Sequence, residues 1–246
     1  MAVTVEDPGS ARGLVFIVHG LGGFKEQPHI QMMANVFLRN GCRVVRYDAT
    51  NSLGESAGSY QYATVTNYYN DLEDVINWSQ TQPWYQEPFM LAAHNLGGMC
   101  ASLYAARHPQ SVRALAPIAT LVSGELSLQA LQAREDVAMW QATGWLVRES
   151  RSRPGIMKRL KWSHMEDRMR YDLLAYARFL TMPVCLAVGD SDFITPPAHQ
   201  QKLFDALPGP KELYVIPNAG HRFRDVIYLR ELEKILDHWA WRMVTG

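Results

Sequence analysis

Residues 93–98 read Ala93-His94-Asn95-Leu96-Gly97-Gly98 and follow the apolar run Pro88-Phe89-Met90-Leu91-Ala92. An apolar strand that turns sharply into a helix through small residues is how a chain lifts a nucleophile above a sheet edge. Ser usually occupies the apex of that turn. Here the apex is Asn95, whose neutral amide neither attacks a carbonyl well nor passes a proton to a base. Asn tolerates positive φ better than most non-Gly residues, so it fits the apex sterically. Ala93 stands where the G-x-S-x-G pattern has Gly, a looser fit but still a small residue. Asn95 is therefore expected at the nucleophile position.

Two further motifs lie at the ends of predicted strands. His19-Gly20-Leu21-Gly22-Gly23 follows the first strong strand. A Gly-rich turn there lets backbone N–H groups face a developing oxyanion. The expected donors are Leu21 N–H and Leu96 N–H, with His19, Gly20 and Gly22 on the substrate pocket. Later come Gly189-Asp190-Ser191-Asp192 and Asn218-Ala219-Gly220-His221. An acid after one late strand and a His after the next complete the order nucleophile, acid, base. His221 is expected as general base and acid, with a carboxylate holding its tautomer. Asp190 competes for that role, and spacing from Gly189 favours Asp192. A literal G-x-S-x-G also occurs, Gly54-Glu55-Ser56-Ala57-Gly58, but it lacks the strand–turn–helix context and Ser56 reads as a loop residue. His94 reads as a packing residue and His164 as a surface one. His29, His108, His199 and His238 have no comparable context.

The elements that must position these residues follow from periodicity. Apolar runs at Leu14–Val18, Val44–Tyr47, Phe89–Ala92, Val112–Ile118, Pro183–Val188 and Leu213–Ile216 read as buried strands. Helical patterns fall near 28–39, 67–80, 97–107, 198–206 and 225–243. Strands alternating with helices predict an α/β fold, a mostly parallel sheet covered by helices on both faces. Loops after the strands then share one edge, where ligands bind. The alternation breaks between about 121 and 178. We read that stretch as a small cap, helical over Leu126–Gln141 and Asp167–Phe179, with a polar, basic loop at Arg148–Gly155. The cap's Arg148, Arg151, Arg153, Lys158, Arg159 and Lys161 read as a solvated face rather than an anion site.

The 246 residues suit a single domain, 1–246, with the cap inserted. Lys+Arg and Asp+Glu both number 24, so no global field recruits nucleic acid or an anionic membrane. The N-terminus lacks the basic start and apolar core of a signal peptide, and no apolar run approaches a membrane span. Cys42, Cys100 and Cys185 lie far apart in apolar segments and read as buried thiols, which with the foregoing suggests a cytoplasmic protein.

Together these motifs resemble the α/β-hydrolase superfamily from Leu14 to Trp241. Val45-Arg46-Tyr47-Asp48 with Leu53–Gly58, and Tyr171-Asp172-Leu173-Leu174 ahead of Met182-Pro183-Val184, are similar to segments of serine carboxylesterases related to cinnamoyl and feruloyl esterases and to monoacylglycerol lipases. The resemblance implies hydrolysis of small acyl or aryl esters through an acyl-enzyme, with no metal or organic cofactor and a small-molecule ester or carboxylic acid as ligand. It leaves Asn95 open to three readings: a disabled serine esterase, a natural pseudoenzyme that binds ligands, or His–Asp general-base catalysis without a Ser nucleophile.

Overall fold

The apolar runs pair into one seven-stranded sheet. In chain order its surroundings are β1 (Ala2–Glu6), β2 (Gly13–Val18), α1 (Pro28–Arg39), β3 (Cys42–Asp48), α2 (Val65–Gln80), β4 (Phe89–His94), α3 (Leu96–Arg107) and β5 (Val112–Ile118). An insertion follows, with α4 (Gly124–Gln132), α5 (Val137–Thr143), β6 (Trp145–Glu149), β7 (Met157–Lys161) and α6 (Ser163–Arg168). The chain closes with β8 (Val184–Gly189), α7 (Pro197–Ala206), β9 (Lys211–Ile216) and α8 (Val226–Thr245). The computed structural model describes residues 1–133, 137–150 and 154–246.

Sheet order is β1-β3-β2-β4-β5-β8-β9. Every neighbour pair is parallel except β1 with β3. Alternation along each strand divides the core between two faces. Leu14, Phe16 and Val18 of β2 pack on one side with residues of α2, α3 and α7; Val15 and Ile17 pack on the other with α1 and α8. Burial on both faces explains why the inner strands β2, β4, β5 and β8 read as unbroken apolar runs. Among the described residues no helix is long and apolar enough to cross a membrane.

Helix starts follow local chemistry. Thr64 caps α2 by accepting from Asn67 N–H, Ser123 caps α4 by accepting from Leu126 N–H, and Pro28 opens α1. Each satisfies or omits a donor that the first turn leaves without a partner.

The insertion differs from its sequence reading in three places. Arg148–Gly155 was expected to be a polar loop, yet Arg148 and Glu149 belong to β6, which pairs antiparallel with β7; Arg151 and Arg153 lie outside the described residues. Aromatic rings hold the hairpin: Arg159 sits 4.3 Å from the Trp145 ring centroid and Lys161 4.3 Å from that of Tyr62. The expected helix over 126–141 appears as α4 and α5, with 134–136 outside the described residues. The expected helix over 167–179 is instead the end of α6 and two 3-10 turns, Leu173–Ala175 and Ala177–Phe179. Asp172 starts the first of these by accepting from Leu174 N–H, a side-chain bond that competes with a continuous helix.

Candidate active site

Asn95 sits between β4 and α3 at φ 54°, ψ −117°, a strained conformation for a residue with a Cβ. Backbone bonds hold it there. Its N–H donates to Ile118 O at 3.0 Å, and its carbonyl accepts from Leu121 N–H at 3.1 Å and Met99 N–H at 3.2 Å. The side chain makes no capping bond to α3. Close approach around the turn requires glycine: a Cβ on Gly97 would lie 2.5 Å from His19 O, and one on Gly98 2.3 Å from Thr120 Oγ1. A Cβ on Gly20 would lie 2.8 Å from that of Asn95.

His221 and Asp192 meet from the loops after β9 and β8. His221 Nδ1–H donates to Asp192 Oδ2 at 2.7 Å. Asp192 also accepts from Ile194 N–H at 2.8 Å, Thr195 N–H at 3.0 Å and the Thr195 hydroxyl at 2.7 Å. Burial alone would raise the Asp192 pKa, but the His221 charge and these bonds bring it below the ordinary carboxylate value. With Nδ1 committed, Nε2 is the ring nitrogen available for chemistry on a ligand. Asp190, the competing acid, is exposed and accepts from the Ser191 hydroxyl. His94 donates Nε2–H to the His221 carbonyl at 2.9 Å, and its ring lies 4.8 Å from that of His221 and 4.4 Å from that of His29. Burial keeps His94 neutral, well below the ordinary histidine range.

The Gly-rich loop is fixed from behind. His19 is buried, donates Nδ1–H to Gly20 O at 2.9 Å and accepts from Ala49 N–H on Nε2 at 3.0 Å. Asp48 accepts from the backbone and side chain of Lys25, at 2.7 and 3.1 Å, and from Glu55 N–H at 2.8 Å. Gly22, at φ +60°, lies against the Tyr60 ring, which a Cβ would meet at 2.7 Å. Leu96 opens α3, where the first N–H groups find no partner within the helix.

A cavity of about 440 Å³ joins these loops to the insertion. Gly20, Leu21, Asn95 and His221 line it from the sheet edge, and Trp140, Leu146 and Leu160 from the insertion. Of the residues expected on the pocket, Gly20 is brought to the cavity wall; His19 and Gly22 are not, because they brace the loop from its buried side. Ser56 is also remote: its hydroxyl bonds to Asp48 O and accepts from Ala2 N–H at 2.8 Å. His164, expected at the surface, is fully buried and donates to Ala63 O at 2.8 Å. Arg148 and Arg159 are exposed as expected, though Arg148 also lines the cavity, whereas Lys158 lines it and is buried. Sequence reasoning missed Thr195 and Arg168. Thr195 has a local signal, a hydroxyl three residues after Asp192; Arg168 has none. Among the described residues no group of His, Cys, Asp or Glu is arranged to hold a metal ion.

A family model described as the alpha/beta hydrolase fold matches residues 13–146, more than half of the chain. The chain belongs to the α/β-hydrolase fold family. A second model, described as PhoPQ-activated pathogenicity-related protein, matches residues 105–241 of this α/β-hydrolase. Comparison with curated proteins returns no match. Among solved structures it is similar to Est1E from Butyrivibrio proteoclasticus with ferulic acid bound, at TM-score 0.84 and 18% identity over 99% of this chain and 95% of that one. It is also similar to alpha/beta hydrolase domain-containing protein 10 from mouse, at TM-score 0.79 and 19% identity over 98% and 94% of the two chains. A monoacylglycerol lipase from Paleococcus ferrophilus aligns at TM-score 0.74 and 21% identity, over 99% of this α/β-hydrolase and 100% of that chain.

Proposed function

We propose that this α/β-hydrolase carries a carboxylic ester hydrolase site arrested at its first step, able to hold a small acyl or aryl ester or its acid with little turnover. Asn95 occupies the nucleophile position, His221 is the general base and acid, and Asp192 orients it. The N–H groups of Leu21 and Leu96 are the oxyanion donors. The residues of 121–178 act as a cap over the ligand.

In this reading a Ser at position 95 attacks the ester carbonyl carbon while His221 Nε2 takes its proton. The resulting oxyanion collapses, His221 returns the proton to the leaving alkoxide, and an acyl-enzyme remains. Water then attacks with its proton passing to His221, and the acid leaves as the hydroxyl is regenerated. Asn95 stops the sequence before it starts, because its amide nitrogen lone pair is delocalised into the carbonyl. The observation that carries the reading is the His221–Asp192 hydrogen bond at 2.7 Å beside Asn95 at positive φ. The ferulic acid bound to Est1E supports a carboxylic acid ligand for the same fold.

The test is Asn95→Ser assayed on short-chain aryl esters. Loss of the nucleophile costs on the order of 10⁶-fold in kcat where it has been measured, so the substitution should lift hydrolysis from trace to readily measured rates. His221→Ala in that background should remove the gain. A folded Asn95→Ser protein inactive on a broad ester panel refutes the reading. Activity of the unmodified protein that survives Asn95→Ala but not His221→Ala would replace it with base-assisted attack of water.

A further inference from the structure

Arg168, the last residue of α6, is only 7% exposed and still lines the cavity. Its Nη1 donates to Ser127 Oγ at 2.6 Å and its Nη2 to His164 Nε2 at 2.5 Å. Its Nε is buried with no hydrogen-bond partner. Neither acceptor carries negative charge: His164 donates its Nδ1–H to Ala63 O, so Nε2 is the lone-pair nitrogen of a neutral ring. The carboxylate next along the chain, Asp167, is turned away to Thr66, accepting from its N–H at 2.9 Å and its hydroxyl at 2.5 Å. Among the described residues no carboxylate pairs with Arg168. Glu149 and Asp225 also line the cavity, but both are exposed and both already accept backbone N–H groups, from Gly155 and Ile227.

A buried charge without a counter-charge is costly. Two hydrogen bonds to neutral acceptors do not require it, since an uncharged donor such as Gln supplies them. Burial pulls the Arg168 pKa down to about 10, with Arg148 acting in the same direction and Tyr60 against it. The group therefore keeps its charge at neutral pH.

We propose that the ligand supplies the missing charge: the cavity takes a half-ester, a small ester whose far end is a carboxylate, and Arg168 binds that carboxylate. The planar guanidinium matches the two carboxylate oxygens and sets one positive charge against their one negative charge. The apolar residues Trp140, Leu146 and Leu160 then cover the chain between the two ends. This deepens the ester-hydrolase reading and rests on it for the position of the ester bond at Asn95.

The experiment is calorimetric titration of the unmodified protein with ethyl half-esters of the straight-chain diacids, malonate to sebacate, each beside its neutral diethyl ester. Charge-assisted pairing predicts that the best half-ester binds about tenfold or more tighter than its diester. Arg168→Met should erase that advantage, so that half-ester and diester bind with similar affinity, while Arg168→Lys should retain part of it. No half-ester outbinding its diester overturns the proposal, and this comparison needs no variant to fold. An advantage that survives Arg168→Met also overturns it. Tighter binding of the matching ω-phosphono ester overturns the carboxylate assignment. Asn95→Ser separates the two readings: hydrolysis of neutral esters without anion preference sinks only the carboxylate site. Arg168-dependent binding with no hydrolysis sinks only the ester-hydrolase reading.

Discussion

In the Asn95→Ser background the two aspartates of the loop after β8 should behave differently. Asp192 holds His221 Nδ1–H, whereas Asp190 accepts from the neighbouring Ser191 hydroxyl. Asp192→Asn should lower kcat by on the order of 10⁴-fold, as loss of the tautomer-fixing carboxylate does elsewhere. Asp190→Asn should leave kcat unaltered. Steady-state kinetics on one aryl ester decides it, and equal losses from both substitutions would assign Asp192 a purely structural role. That pairing was legible in the sequence because each partner closes a motif at a strand end, where chain order and loop spacing constrain it. Arg168 was not legible. Its significance depends on Asp167 facing Thr66 rather than its own neighbour, a fact of packing between α6 and α2 that no local pattern carries.

At the scale of elements, α3 reaches its place because Gly97 passes within a Cβ's reach of the carbonyls of Val18 and His19 at the end of β2. Gly97→Ala must push helix and strand apart, and overpacking of this kind costs about 1–3 kcal/mol. Urea unfolding should show that loss, and no loss would mean that α3 has room to slide. The strands β2, β3, β4, β5 and β8, buried on both faces, were readable as apolar runs, and the half-buried edge strand β9 through its apolar end, Leu213–Ile216. β1 was not, since Ala2–Glu6 is a partly exposed edge strand whose alternation spans only five residues. The β6–β7 hairpin escaped for a related reason. Its pattern, Met157 exposed, Lys158 buried, Arg159 exposed, Leu160 buried, alternates correctly for a strand but places a Lys inward, over the Tyr60 ring at 5.1 Å. Residues 167–179 look helical in composition, and side-chain capping by Asp172 breaks them into short turns.

For the whole molecule, protons set the acid limit of stability. Burial lowers the pKa of His19, His29, His94 and His164, that of His29 to about 3. Unfolding restores each to about 6.5, so the unfolded chain binds more protons and stability falls as pH drops below that value. Each histidine kept neutral steepens the fall by up to about 1.4 kcal/mol per pH unit. Asp192 contributes in a lower window: its folded pKa is below its unfolded value, so its share persists until pH falls below about 4. Denaturant unfolding at steps between about pH 7.5 and 4.5 should therefore show a histidine-driven slope, and His29→Asn should flatten it. Stability that stays level across that range would contradict neutral burial of these rings.

The apex conformation of residue 95 is imposed by its backbone bonds to Ile118, Leu121 and Met99 and by the glycines around it, with no capping bond from its own side chain. Holding that turn therefore calls on no capping bond from the side chain at position 95. Codons for asparagine and serine differ by a single base, so on the proposed reading a ligand trap and a working hydrolase are neighbours in mutational space. They share one scaffold and one cavity, and selection for either preserves nearly everything the other needs.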